Sequence, residues 1–245
     1  MITKEEIAEF DKENMLGSIS SLQRQPMEGI KLAAGIKVLD EVNNIIVAGM
    51  GGSALPGEVL KSLFLDTKIK LVVAKDYKIP DWANSKTLVF VVSYSGNTEE
   101  TIDSYKDALK KGCKIVVVAS GGKLLELAKN QSIKFIKVPK PFDNFQPRTA
   151  IGYLTFSILG VLQNSRLIKD VTSEIEKLEK ALQPGHYLEK AQDLAELLVD
   201  KIPIIYTSEK LAAAGYKWKI AFNENAKTHA FFNVYPEMNH NEINA

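Results

Sequence analysis

Five short apolar, often β-branched runs stand at 45–48, 69–74, 88–92, 115–119 and 133–138, with 45–48, 88–92 and 115–119 continuous rather than alternating. A strand that is apolar on both faces must be covered on both, which is the habit of parallel sheets flanked by helices. Helix-like segments lie between the first two runs, at 56–64, and after the third and fourth, at 99–110 and 123–129; 80–84 is short and less clear. The pattern predicts an α/β fold, a doubly wound five-stranded parallel sheet, with its ligand beyond the carboxyl ends of the strands near the switch point. Ahead of the sheet, 4–15 and 17–35 read as two amphipathic helices, with Thr3 as N-cap and Glu6 three residues on.

Pro139 and Pro141 end the run of strands. A loop at 142–147 leads through Gln146-Pro147-Arg148-Thr149 into a strongly apolar helix, 150–162. A charged amphipathic helix at 166–182 is broken by Pro184-Gly185. A helix at 188–200, a strand at 202–207, a helix at 211–224 and a strand at 231–235 then begin a second series. This divides the chain into a first domain (1–163), a helical connection (164–200) and a partial second α/β unit (201–245). Roughly fifty residues can hardly bury a core of their own. The second unit is therefore expected to lean on the first domain or a partner, or to be part of something longer.

The 31 basic and 30 acidic residues are interspersed and leave a net charge of +1, so nothing argues for nucleic acid or a polybasic membrane patch. No apolar stretch approaches the roughly 20 residues that span a bilayer, and the N-terminus lacks a signal peptide's apolar segment; a cytoplasmic protein is expected. Cys113, the sole cysteine, rules out an intrachain disulfide and reads as a structural thiol. Three dispersed histidines without supporting carboxylate spacing offer no metal site.

Two turns carry the chemistry. Gly49-Met50-Gly51-Gly52-Ser53 and Ser93-Tyr94-Ser95-Gly96-Asn97-Thr98 each follow a strand and precede a helix. At such a turn glycine lets the backbone come close, free N–H groups point outward, and the helix dipole favours an anion. Two of them point to a phosphorylated ligand, with Gly51, Gly52, Ser53, Ser93, Ser95 and Thr98 as contacts. The serines and Thr98 could equally cap the following helix, using the same N–H groups. Gly49, Gly51 and Ala54, with Asp76 about twenty residues on, also match a relaxed dinucleotide fingerprint, which leaves the second turn unexplained.

These turns, followed in order by Phe222-Asn223-Glu224-Asn225-Ala226-Lys227 and Pro236-Glu237-Met238-Asn239-His240-Asn241, resemble the bifunctional phosphoglucose/phosphomannose isomerases of the sugar isomerase (SIS) domain superfamily. The resemblance covers almost the whole chain and implies interconversion of fructose 6-phosphate with glucose 6-phosphate and mannose 6-phosphate through a cis-enediolate, with no cofactor. It implies Glu224 as the base that moves a proton between C2 and C1, Arg148 as the cation that stabilises the anionic intermediate, and His240 as the ring-opening group. Asn239 stands where some members have a second His. By the same resemblance His240 reaches the site across a homodimer, and members continue past this point to a lysine near the C-terminus. The alternatives are a non-catalytic sugar-phosphate-binding regulator, which would need the serine turns but neither Glu224 nor His240, and an inactive truncated isomerase.

Overall fold

The structure, a computed structural model, describes residues 4–244; the expected N-cap, Thr3, lies outside them. The two expected N-terminal helices are three short ones, α1 (Lys4–Phe10), α2 (Met15–Ser20) and α3 (Gln25–Leu32). Asn14 takes a left-handed conformation and caps α2, its side chain accepting from the Gly17 amide at 3.2 Å. Pro26 sits in the first turn of α3, the one part of a helix where its missing N–H costs nothing.

The chain then alternates through β1 (Asn44–Ala48), α4 (Leu55–Leu63), β2 (Lys70–Ala74), β3 (Thr87–Val92), α5 (Glu99–Lys110), β4 (Lys114–Ala119), α6 (Gly122–Asn130), β5 (Lys134–Lys137) and α7 (Ile151–Asn164). All five strands are parallel, in the order β2-β1-β3-β4-β5. The doubly wound sheet read from the apolar runs is therefore present. Strand pleat sorts its side chains onto two faces. Val47, Phe90 and Val116 join Tyr153, Leu154 and Ile158 of α7 in one core. Ile46, Val89 and Val117 join Tyr105 of α5 and Leu124 of α6 in the other. The chain leaves β1 outward to β2 and returns to β3 on the other side, so the switch point lies between the carboxyl ends of β1 and β3. The connection through 80–84 holds no helix; it is pinned to α5 by the Ile79 amide donating to Asp107 (3.1 Å) and Lys111 Nζ donating to the Ile79 carbonyl (2.9 Å).

Beyond α8 (Thr172–Ala181) and α9 (Leu188–Leu197), β6 (Ile204–Ser208) and β7 (Phe231–Tyr235) form a two-stranded parallel sheet, with α10 (Ala212–Ala221) between them. The strand expected from 202 starts only after Pro203, which has no N–H for a ladder, though its carbonyl accepts from Phe231 (3.0 Å). The helix expected to run through 224 ends at Ala221 and continues as a π-helical segment, Phe222–Ala226. α10 lies so close to one face of the small sheet that a Cβ on Gly215 would stand 2.4 Å from the Phe232 ring and 2.7 Å from Thr207. The opposite face, with Ile204, Tyr206, Phe231 and Tyr235, is exposed. Among the described residues no helix is long and apolar enough to cross a membrane.

Candidate active site

The first turn follows β1. A Cβ on Gly49 would stand 2.7 Å from the Ser53 carbonyl and 2.8 Å from that of Val92, so only glycine lets β1 and β3 end side by side here. Residues Gly51–Ser53 make one 3-10 turn into α4. Ser53 Oγ accepts from the Tyr94 amide at 3.2 Å and so fastens the first turn to the second.

The second turn is held from within. Ser93 is buried, and its hydroxyl lies 2.9 Å from Thr98 Oγ1 and accepts from the Gly96 amide at 3.1 Å. Gly96 has φ 72°, and a Cβ there would fall 1.9 Å from the Gly121 carbonyl oxygen. Asn97 Oδ1 accepts from the Lys123 amide at 3.0 Å and fixes the turn to α6. Thr98 occupies the N-cap position of α5 but makes no side-chain cap bond. The first-turn amides of α5 are thereby left to an external acceptor, on the positive end of the helix dipole.

Arg148 sits in a 3-10 turn, Pro147–Thr149, ahead of α7. Buried Gln25 places that turn: its amide donates to the Thr149 carbonyl (2.8 Å) while its Oε1 accepts from the Gly152 (3.0 Å) and Tyr153 (3.3 Å) amides, capping α7 from another helix. The guanidinium then meets the π-helical segment. Nη1 donates to Asn225 Oδ1 (2.8 Å) and to the Glu224 carbonyl (3.1 Å), and Nε lies 3.4 Å from Glu224 Oε2.

One cleft of about 310 Å³ collects these parts. Met50, Gly52 and Ser53 line it from the first turn, Tyr94, Ser95 and Thr98 from the second, and Pro147, Arg148 and Glu224 from the far wall. It opens at the carboxyl ends of β1 and β3, the switch point. Of the residues singled out from sequence, Gly51 is exposed and outside this lining, Ser93 lies beneath it with its hydroxyl engaged in the turn, and His240 is exposed in the turn Glu237–His240 and does not line it. Lys227 and His229 line a separate depression. Among the described residues no group of three or more His, Cys, Asp or Glu is placed to hold a metal ion.

A family model described as the SIS domain matches residues 38–162, and one described as the bacterial phospho-glucose isomerase C-terminal SIS domain matches 188–245. The chain is 38% identical over 246 residues to the bifunctional phosphoglucose/phosphomannose isomerase of Caldicellulosiruptor bescii, covering 94% of this chain and 71% of that protein. The chain belongs to this family. The family's protein of the same name from Thermoplasma acidophilum is 35% identical, over 82% of this chain and 61% of its own length. A D-glucosamine-6-phosphate 4-epimerase of Sulfolobus acidocaldarius is 37% identical, over 85% of this chain and 65% of its own. The chain thus spans 61% to 71% of the length of these relatives. In three dimensions it resembles the C-terminal domain of glucosamine-fructose-6-phosphate aminotransferase from Francisella tularensis (TM-score 0.71, 16% identity, 94% of this chain and 72% of that one). It also resembles the tagatose-6-phosphate ketose/aldose isomerase of Escherichia coli (TM-score 0.62, 18% identity, 93% and 68%). These last two show a shared fold.

Four cleft or rim residues were not singled out from the sequence: Met50, Tyr94, Pro147 and Asn225. Tyr94 had a signal, since it lies inside the second turn. Burial pushes its phenol up to about 12, and its hydroxyl donates to the Pro139 carbonyl (3.1 Å), so it serves as a wall. Asn225 lies inside the Phe222–Lys227 motif, but a regular helix through 224 gives no reason for residues 224 and 225 both to face Arg148; the π-helical segment does.

Proposed function

We propose that this member of the isomerase family interconverts fructose 6-phosphate with glucose 6-phosphate and mannose 6-phosphate through a cis-enediolate, in the cytoplasm. The observation that carries the reading is the Arg148–Glu224 pair on the wall of the same cleft that the two Ser/Thr turns line. The turns offer hydroxyls and helix-terminal amides to the 6-phosphate, with Ser93 holding the turn in shape from beneath. Glu224 takes the proton from C2 of the open aldose. The electron pair moves onto the carbonyl oxygen to give a cis-enediolate facing the Arg148 guanidinium, the O2 hydroxyl proton passes to O1, and Glu224 returns its proton to C1 as the C2 carbonyl forms. Hydrogen moves as a proton throughout, so the reaction asks for neither a redox cofactor nor a metal.

His240 belongs to this scheme as the group that exchanges a proton with the ring oxygen, reaching the cleft of a second copy in a homodimer. Its exposure on the described chain, outside the lining of its own cleft, supports that reading. Light scattering checks the dimer: a monomer at micromolar concentration overturns the shared site.

The similarity to a 4-epimerase favours a second reading, inversion at C4 of an amino-sugar phosphate. One experiment separates the two. Fructose 6-phosphate and glucosamine 6-phosphate are each incubated with the protein in D₂O, and products are followed by NMR. The isomerase reading expects glucose 6-phosphate carrying deuterium at C2, and no change in the amino sugar. Conversion of glucosamine 6-phosphate to its C4 epimer, with fructose 6-phosphate untouched, overturns it.

A further inference from the structure

Behind the cleft lies a second cation. Lys217, on α10, donates from Nζ to the main-chain carbonyl oxygen of Arg148 at 3.1 Å. It borders an apolar cavity of about 580 Å³ whose walls include Met15, Ile19, Trp218 and Phe222. An ammonium drawn in among such neighbours has to be satisfied by specific partners, and the Arg148 carbonyl is the partner present. We propose that Lys217 is a positioning residue for the Arg148–Glu224 pair: its ammonium ties α10 to the Pro147–Thr149 turn and adds positive charge behind the carboxylate. The inference rests on the isomerase reading above.

Four contacts clamp the Arg148 turn to the α10–π segment, and they differ in kind. Three use the guanidinium itself, which holds the Glu224 carbonyl, the Glu224 carboxylate and the Asn225 side chain. A guanidinium that swings toward a developing oxyanion must loosen these. The Lys217 contact grips the backbone of Arg148 instead, so it persists while the side chain works. It fixes the spacing of the turn and the π-helical segment without competing for the catalytic cation.

The charges facing Lys217 are few. Glu224 favours its ammonium form and Arg148 opposes it, while Met15, Ile19, Ile151 and Ala191, which line the cavity from α2, α7 and α9, are uncharged. Burial is the strongest influence and pushes the ammonium below the ordinary lysine range. As pH rises through that lowered value, Lys217 loses its charge and the positive wall weakens.

The test is calorimetric titration of the whole chain with 5-phosphoarabinonate, a stable anionic analogue of the enediolate, from about pH 7 to pH 10. Wild type should bind less tightly on the alkaline side. Lys217→Met should bind about tenfold or more weakly at neutral pH and lose the alkaline fall, with thermal melting within a few degrees of wild type. Lys217→Arg should restore neutral-pH affinity and hold it to higher pH, because a guanidinium stays charged. Equal affinity in Lys217→Met and wild type overturns the proposal. Where Lys217→Met fails to fold, an alkaline fall in Lys217→Arg identical to wild type overturns it. A wild-type chain that does not bind the analogue at any pH sinks the isomerase reading itself. Binding abolished by Ser95→Ala with Thr98→Ala yet unchanged in Lys217→Met sinks this inference alone.

Discussion

Val89, Phe90 and Val91 in β3 are wholly buried, whereas Ile204 in β6 and Phe231 in β7, neighbours in register, are each 57% exposed. Composition does not separate the two sheets; both are built from Val, Ile and aromatics. Layers do. The five-stranded sheet has α3, α4 and α7 on one side and α5 and α6 on the other, so residues of its inner strands β1, β3 and β4 find a core whichever way they point. The two-stranded sheet has α10 on one side only. A parallel sheet needs cover on both faces, and the difference shows that covering layers decide burial here. The candidate site draws on both regions: the two Gly/Ser/Thr turns stand on the covered sheet, and Glu224 and Asn225 come from the half-covered one.

That division of labour gives the largest expected effect. Glu224→Gln should lower turnover of fructose 6-phosphate by about 10² to 10⁴-fold while leaving sugar-phosphate affinity close to wild type. Stopped-assay kinetics beside calorimetric binding would measure both. Loss of binding together with turnover would show that the two regions do not divide the work.

Stability is the next way to press the comparison. Phe90 points into the core between the first sheet and α7. Phe90→Ala should cost about 3–5 kcal/mol in urea unfolding, as expected for emptying an aromatic site that cannot collapse. A cost below about 1 kcal/mol would mean that the first core is far less tightly packed than its exposure implies.

The same contrast explains what could be read from sequence. The apolar runs announced the first sheet because its inner strands, β1, β3 and β4, are buried on both faces and so are almost uniformly apolar. The turns were legible because glycine and hydroxyl residues cluster there for steric and hydrogen-bonding reasons that act locally. Three things were not. The break between α2 and α3 falls inside the expected helix 17–35, at a 3-10 turn, Ser21–Gln23, whose flanking residues Ser20 and Arg24 keep helical backbone angles and so give no local stop signal. The π-helical turn at Phe222–Ala226 depends on contacts with Arg148, far away in sequence. The role of Gln25, capping α7 from α3, is likewise a tertiary event with no local signature.

A smaller effect belongs to the second Ser/Thr turn alone. Hydrogen bonds to charged groups are worth roughly 1.5–3 kcal/mol each. Ser95→Ala with Thr98→Ala should therefore weaken glucose 6-phosphate binding by a few kcal/mol. Melting should fall only modestly: the variant loses the Ser93–Thr98 hydroxyl contact and the Asn97 amide's bond to Ser95, while Ser93 keeps the Gly96 amide and Asn97 keeps that of Lys123. Ser93→Ala should do the reverse, lowering stability more than affinity, because its buried hydroxyl serves the turn. Equal losses of affinity in both variants would put Ser93 in contact with the phosphate after all.

The smallest expected effect tests the uncovered face directly, within one strand. Phe231 and Phe232 are adjacent in β7 and point to opposite sides of the small sheet. Phe232 packs beside Gly215 and Tyr216 of α10, with the two rings 6.3 Å apart, while Phe231 is 57% exposed. Phe232→Ala should destabilise the chain measurably, by about 1–3 kcal/mol, short of a full core deletion because the site is only partly enclosed. Phe231→Thr should fall within about 0.5 kcal/mol of wild type, the range for surface positions. It should also reduce binding of a hydrophobic dye, since Phe231, Ile204 and Tyr235 form one exposed apolar patch. Threonine, being β-branched, favours a strand as the aromatic phenylalanine does, so a loss of stability could not be assigned to strand propensity. If Phe231→Thr costs as much as Phe232→Ala in the isolated chain at low concentration, α10 is not the only cover this sheet has, and the contrast between the two sheets collapses. If it costs that much only at high concentration, a second copy supplies the missing layer.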